Sequence, residues 1–281
     1  LALPNVNVYQ DLSYSEDEYS AKMDWSIEQL QRLNADVVAF QEIFHEEALK
    51  ELVLRAGYSH STLLVAEDTD FKPKVGLLSR FPIKHQQSIS KLPTSCQTQD
   101  IKTFRRPLIY AELELTKKQS LHVFAIHLKS KQPLLSEEED PFTPLALSKG
   151  ASRALQIRAI EATAIRALIL DALPDPVLII GDFNDVSQSV TTQIICGPRA
   201  PHQATLEQKQ QFKAQQLFPV SEATALKRYT NASYTYLYNG WHETIDHILL
   251  SHHFAEDNQQ AIGRLQFSHT YNDHLVDHRF Y

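Results

Sequence analysis

Apolar positions recur at helical spacing from Ser15 to Asn34. Tyr19, Met23, Ile27, Leu30 and Leu33 share one face, and acidic residues crowd the first turn. Val37 to Phe40 is a short apolar run that predicts a buried strand. His45 to Ala56 returns to the helical pattern, and Gly57 stops it. Segments 62–66, 75–79, 108–115 and 121–127 predict strands, and the alternation around Leu113, Leu115, Leu121 and Val123 predicts that the last two pair. Residues 132–149 are rich in Pro, Ser and Glu and predict an exposed loop. Ala151 to Ala172 carries the longest helical pattern, with Ile157, Ile160, Ala164, Ile165 and Leu168 inward, and Pro174 and Pro176 end it. Val177 to Ile180 predicts a central strand. Beyond a polar middle (199–233), Ile245 to Leu250 predicts another, and the last ten residues one more. Strands that occur both as hairpins and with helices between them point to a layered α/β fold rather than a doubly wound sheet.

Composition narrows the class without naming a function. An apolar share of 43% and a charged share of 22% over 281 residues exclude a disordered chain, a collagen and a disulfide-stapled miniprotein. No apolar run reaches the roughly 18 residues of a membrane span. The length suits one large domain or two small ones. A net charge of −7 argues against a surface built as a whole to grip nucleic acid, while leaving room for a local basic cleft. Cys96 and Cys196 are too few for a thiolate zinc site, and two unpaired buried thiols are expected.

Five segments share one grammar, in which a buried strand ends and polar residues follow at its mouth. They are VVAFQE (37–42), VFAIHLKSK (123–131), VLIIGDFND (177–185), TIDHILLS (244–251) and TYNDHLVD (270–277). A rigid sheet holds such groups in place. One carboxylate after a strand is ordinarily a turn or cap residue. His, Asp, Asn and Glu at five such mouths exceed what turn chemistry needs.

In order along the chain, Gln41-Glu42, His127, Gly181-Asp182-Phe183-Asn184, Ile245-Asp246-His247 and Asp273-His274 resemble the signature segments of the endonuclease/exonuclease/phosphatase superfamily. That superfamily includes pancreatic-type DNases, apurinic endonucleases, neutral sphingomyelinases and inositol polyphosphate 5-phosphatases. The resemblance implies a four-layer α/β/β/α sandwich of two mixed, mostly antiparallel sheets (DNase-like), with 1–281 as a single domain. It implies a hydrolase of phosphoric esters that uses Mg²⁺, with Mn²⁺ as a substitute. By the same resemblance Glu42 holds the metal and Asp273 contacts it or its waters. Asp182 orients or deprotonates the attacking water, and Asn184 helps to hold the phosphate. His274 is the C-terminal catalytic histidine, and Asp246 fixes its tautomer. His127 is the second histidine, where apurinic endonucleases usually carry Tyr.

Two departures from the family pattern stand out. Asn272-Asp273-His274 replaces the usual Ser-Asp-His, and Asn can still make a local hydrogen bond. The family's opening strand, which ends in an Asn of the metal shell, is expected upstream of Leu1, with residues 1–4 as its exit. Asn5 fits that role poorly, because Pro4 sits where the strand should run.

Basic residues beside the motifs bear on the substrate. Arg106, Lys129 and Arg153 are the candidate phosphate contacts, with Arg158 and Lys131 nearby. No long basic stripe with interleaved aromatics is present, so extended nucleic acid is not favoured over a small ester or a phospholipid. Tyr234, Tyr236, Tyr238 and Trp241 are candidates for a pocket wall. The expected partner is a phosphate-ester substrate and the expected state a monomer. The compartment, cytoplasmic or exported, stays open. The rival reading is a phosphate-ligand or protein-binding module on the same fold with weakened catalysis.

Overall fold

A computed structural model describes residues 1–8, 13–67, 73–225, 234–238 and 240–272. The chain divides into two compact units, 1–90 with 106–126, and 91–105 with 127–281.

The first unit holds helix α1 (Glu16–Leu33), strand β1 (Val37–Ile43), helix α2 (Glu46–Arg55) and strands β2 (Thr62–Val65) and β3 (Lys74–Ser79). It also holds nearly all of β4 (Ile83–Lys91), β5 (Thr103–Thr116) and β6 (Gln119–His127). A reciprocal capping box starts α1: the Ser15 side chain accepts from the Glu18 amide, and the Glu18 carboxylate accepts from the Ser15 amide. Asn34, in the left-handed region, closes it. β1, β3 and β2 form an antiparallel sheet in that order. Met23 and Leu30 of α1, Leu49 and Leu52 of α2, and Ile43 and Leu78 of the sheet make the core. Gly76 lets β3 pass close under α2: a Cβ there would lie 2.9 Å from the tip of the Leu49 side chain, which would have to shift. β5 and β6 pair antiparallel, Leu113 opposite Leu121, as their alternation predicts.

The second unit carries helix α3 (Pro144–Ala172), strand β7 (Val177–Asp182), helices α4 (Val190–Cys196) and α5 (Leu206–Ala214), strand β8 (Leu217–Pro219), helix α6 (Val220–Ala225), and strands β9 (Tyr236–Tyr238), β10 (Trp241–Glu243) and β11 (Asp246–Ser251). β11 lies between β7 and β8, antiparallel to both, and β9 and β10 form a hairpin. On β7 and β11, Val177, Ile179, His247, Leu249 and Ser251 point inward. The Ser251 hydroxyl accepts from the Val177 amide at 3.0 Å.

Several sequence expectations need correction. α3 begins at Pro144, so the exposed loop is 132–143. Pro is tolerated in a first helical turn, where its missing N–H has no partner to lose. β4 has no counterpart in the sequence reading, because its IKHQQSISK pattern is mostly exposed and polar. The polar middle contains α5, β8 and α6. The strand expected over the last ten residues falls almost entirely outside the described residues. Both thiols are free; Cys196 is buried, while Cys96 is half-buried rather than buried. Among the described residues, no helix is long and apolar enough to cross a membrane.

Candidate active site

The strand register of the second unit sets Asp182, the last residue of β7, opposite Asp246, the first of β11. Gly181, at φ 148°, takes a backbone angle that side chains disfavour. The chain then turns sharply. Asp182 Oδ1 accepts from the Asn184 amide at 2.7 Å, which makes an Asx turn. Phe183 is driven fully into the core, and its amide donates to Ile245 O at 2.9 Å. Asn184 sits at φ 51°, a region Asn tolerates better than most residues. Its side-chain Nδ2 donates to Leu128 O at 3.0 Å and to Asp182 Oδ2 at 3.2 Å. Asp182 and Asn184 therefore converge through a turn, not through the alternation of a continuing strand.

His127 ends β6, with Nε2 3.3 Å from Asp182 Oδ2. The Leu128 amide donates to Asp182 O at 3.0 Å. His127, Asp182 and Asn184, three of the expected catalytic residues, thus form one hydrogen-bonded cluster, and Asp246 faces it across the strand pair. Thr235 supports Asp246: its Oγ1 accepts from the Ile245 and Asp246 amides at 3.1 and 3.2 Å. Desolvation of the carboxyl and the neighbouring Asp182 charge push Asp246 up to about 7, although the residue as a whole is exposed. Partial burial of its phenol, with the Glu243 and Asp182 charges, also raises Tyr236.

Asp185 is held differently. Its carboxylate accepts from Thr191 Oγ1 at 2.7 Å and from Arg158 Nε at 3.3 Å. The Asx turn thus belongs to Asp182, not to Asp185. His247, next to Asp246, donates from Nε2 to Asp185 O at 2.8 Å, which fixes its tautomer, and burial lowers its pKa. Lys131 pairs with Glu243 at 2.7 Å.

Glu42 and Arg106 belong to the first unit, and several expected site residues of the second unit bind the protein itself. Glu42 lies near the end of β1 in the first unit, half-buried at φ 58°, within the bulge between Phe40 and Ile43. The neighbouring Gln41 has a buried Nε2 with no hydrogen-bond partner among the described residues. Arg106 is half-buried in β5. Lys129 spends its ammonium on Ser130 O, Ser130 Oγ and Gln132 O at 2.9–3.0 Å. Arg153 binds Leu134 O at 2.7 Å and the Glu139 carboxylate, tying down the 132–143 loop. Arg158 is buried against Asp185 and so does not belong to a solvent-facing anion patch. Asp273 and His274 lie outside the described residues. The residue before them, Asn272, donates to Tyr234 O at 3.0 Å, a contact spanning 38 residues rather than a local one.

Sequence reasoning missed Thr235 as a support, and it missed the supporting roles of Arg158, placed instead beside an anion patch, and of Glu161. The last two left one signal: they sit beside the inward apolar positions of α3, where a solvated face should not be.

The chain resembles several solved structures at the level of fold. A humanized D. rerio TDP2 is 18% identical, with a TM-score of 0.54, over 84% of this chain and 78% of that one. An endonuclease/exonuclease/phosphatase family protein from Bacteroides thetaiotaomicron is 14% identical, with a TM-score of 0.52, over 88% and 78%. A mannosyl-6-phosphatase of the same organism is also 14% identical, with a TM-score of 0.52, over 84% and 78%. These likenesses agree with the DNase-like α/β architecture. No curated protein matches the chain. A profile of the Endonuclease/Exonuclease/phosphatase family matches residues 25–268, most of the chain, and the chain belongs to that family.

Proposed function

We propose that this chain hydrolyses phosphoric esters with a divalent metal ion, at the cluster of His127, Asp182 and Asn184 facing Asp246. One observation carries the reading: a carboxylate at a strand end is oriented from three sides, by the Asn184 amide, the Asn184 side chain and His127. Such a group can take the proton of a water molecule as its oxygen attacks phosphorus. The P–O bond to the leaving alcohol breaks, and that oxygen needs a proton or a positive charge beside it. His127 is one source, and His274 by family resemblance is the other. Donors already held in place need no reorganisation as charge builds on the phosphoryl oxygens.

Family membership suggests the metal; the chemistry of the residues has to suit it. Among the described residues no three His, Cys, Asp or Glu side chains group to hold an ion. Mg²⁺ asks for less, since it takes one or two protein carboxylates and fills its shell with water and phosphate oxygens. By family resemblance Glu42 is one such donor, and Asp273 another. The crowding of Asp182 and Asp246, seen in the raised Asp246 carboxyl, also fits a site that gains from a cation. When bound, the ion supplies positive charge to the phosphoryl oxygens. Mn²⁺ is expected to substitute.

The supply of cations favours a substrate with one or two phosphates over extended nucleic acid. Lys129 and Arg153, two of the three expected phosphate contacts, spend their donors on the protein itself. The test is hydrolysis of bis(p-nitrophenyl) phosphate, p-nitrophenyl phosphate and a DNA duplex with Mg²⁺, with and without EDTA. Turnover that EDTA stops and Asp182→Ala abolishes is expected, with weak dependence on salt. No turnover on any substrate, or equal turnover by Asp182→Ala, overturns the reading. A steep salt dependence overturns the small-ester preference alone.

A further inference from the structure

Helix α3 buries two opposite charges on the face it turns inward, Arg158 and Glu161, 4% and 1% exposed. Both grip the segment that follows His127. The Glu161 carboxylate accepts from the Lys129 amide at 2.9 Å and, through its other oxygen, from the Arg105 amide at 2.8 Å. Arg158 Nη1 donates to Lys129 O at 3.1 Å and Ser130 O at 3.3 Å. The Lys129 residue is therefore clamped at both its N–H and its C=O. The same guanidinium reaches the other segment, with Nε 3.3 Å from the carboxylate of Asp185, the residue after Asn184.

We infer that Arg158 is a positioning residue for the hydrolytic site: one buried guanidinium locks the segment after His127 to the segment after Asn184 and so sets the His127–Asp182 geometry. This rests on the proposed function. Besides the guanidinium, the segments meet at Leu128, whose amide meets Asp182 O and whose carbonyl meets Asn184, and more loosely at Lys131, whose exposed Nζ lies 3.9 Å from Asp185 Oδ1; Leu128 is the hinge between them. Without the guanidinium fork, the two segments can part about that hinge. A shift near 1 Å at a reacting group costs on the order of 10²-fold in rate. The planar fork is what the role requires, because a lysine ammonium can neutralise Asp185 without also meeting the carbonyls of residues 129 and 130.

The test compares Arg158→Lys with Arg166→Lys. Arg166 is a second buried arginine of α3, two turns on, and its contacts are Ile195 O and Gln215 O, outside both segments. Arg158→Lys is expected to lower kcat about 30- to 100-fold with KM changed less than about 3-fold. Amide hydrogen exchange in 128–131 and 183–186 should quicken. Arg166→Lys is expected to lower the melting temperature while leaving kcat and the exchange of those segments unchanged. Should Arg158→Lys fail to fold, Thr191→Val, which removes the hydroxyl from Asp185, carries the same pattern at roughly 3- to 10-fold. Arg158→Lys within 2-fold of the wild-type kcat, or matching Arg166→Lys in both readouts, overturns the inference. Activity retained in Asp182→Ala instead overturns the reading of the site itself.

Discussion

Two strand ends of this molecule use the same unusual backbone angle and support it in opposite ways. Asn184, just past β7, has φ 51°, and Glu42, at the end of β1, has φ 58°. Asn visits the left-handed region readily, and here its side chain repays the turn with bonds to Leu128 O and Asp182. Glu has no such affinity for that region. Its conformation costs ~1–2 kcal/mol and sits within the bulge between Phe40 and Ile43. The Glu42 carbonyl accepts from the Leu1 amino group. One end is shaped by the residue that occupies it. The other is imposed on its residue by the strand, as happens where a side chain must be aimed at something.

That contrast predicts different responses to metal. Asn184→Ala should lower turnover by about 10³-fold, because it takes donors from Asp182 and Leu128 together, and added Mg²⁺ should restore nothing. Glu42→Ala should lose as much at low Mg²⁺ but recover in part as the ion is raised from about 1 to 50 mM, since lost affinity yields to mass action. Equal recovery in both variants would erase the distinction between the two ends.

A smaller effect separates them by pH. Asp246, raised to about 7, binds its proton more tightly in the folded protein than in the unfolded chain, where a carboxyl titrates near 4. Its contribution to stability is therefore whole below pH 4 and fades as pH climbs toward 7. His247 has the opposite slope: its lowered pKa costs stability as pH falls below the usual histidine range. In EDTA, Asp246→Asn should flatten the decline of melting temperature between pH 4 and 7 without moving the loss at lower pH. Parallel wild-type and Asp246→Asn curves across that window would show that the Asp246 carboxyl is not raised by desolvation and the Asp182 charge.

Much of this was legible in the sequence, and the rest has definable reasons for hiding. The helical repeat of α1, the apolar run of β7 and the GDFN signature are local patterns, and His127, Asp182, Asn184 and Asp246 followed from them. The start of α3 did not, because Pro144 reads as a breaker unless the helix is known to begin there. Lys129 and Arg153 looked free because sequence shows neither the carbonyls nor the carboxylate they bind. Arg158 and Glu161 looked solvated because charged residues usually are. What buries them arrives from about 30 to 60 residues away, in Lys129, Asp185 and Arg105. The φ of Glu42 left no sign in its neighbours at all.

The most delicate test of the contrast puts glycine at both ends. Glycine takes a left-handed φ without strain. At Glu42 it should relieve the backbone, so Glu42→Gly should be about 1 kcal/mol more stable than Glu42→Ala, a few degrees in melting temperature. At Asn184 there is little strain to relieve, and the bonds to Leu128 O and Asp182 are lost. Asn184→Gly should therefore be roughly 1–2 kcal/mol less stable than wild type. The same residue at nearly the same angle should stabilise one strand end relative to alanine and weaken the other relative to its native side chain. Thermal unfolding of the three variants beside wild type decides it. Should Glu42→Gly prove no more stable than Glu42→Ala, the strand does not strain Glu42, and the two ends differ only in which side chain each presents.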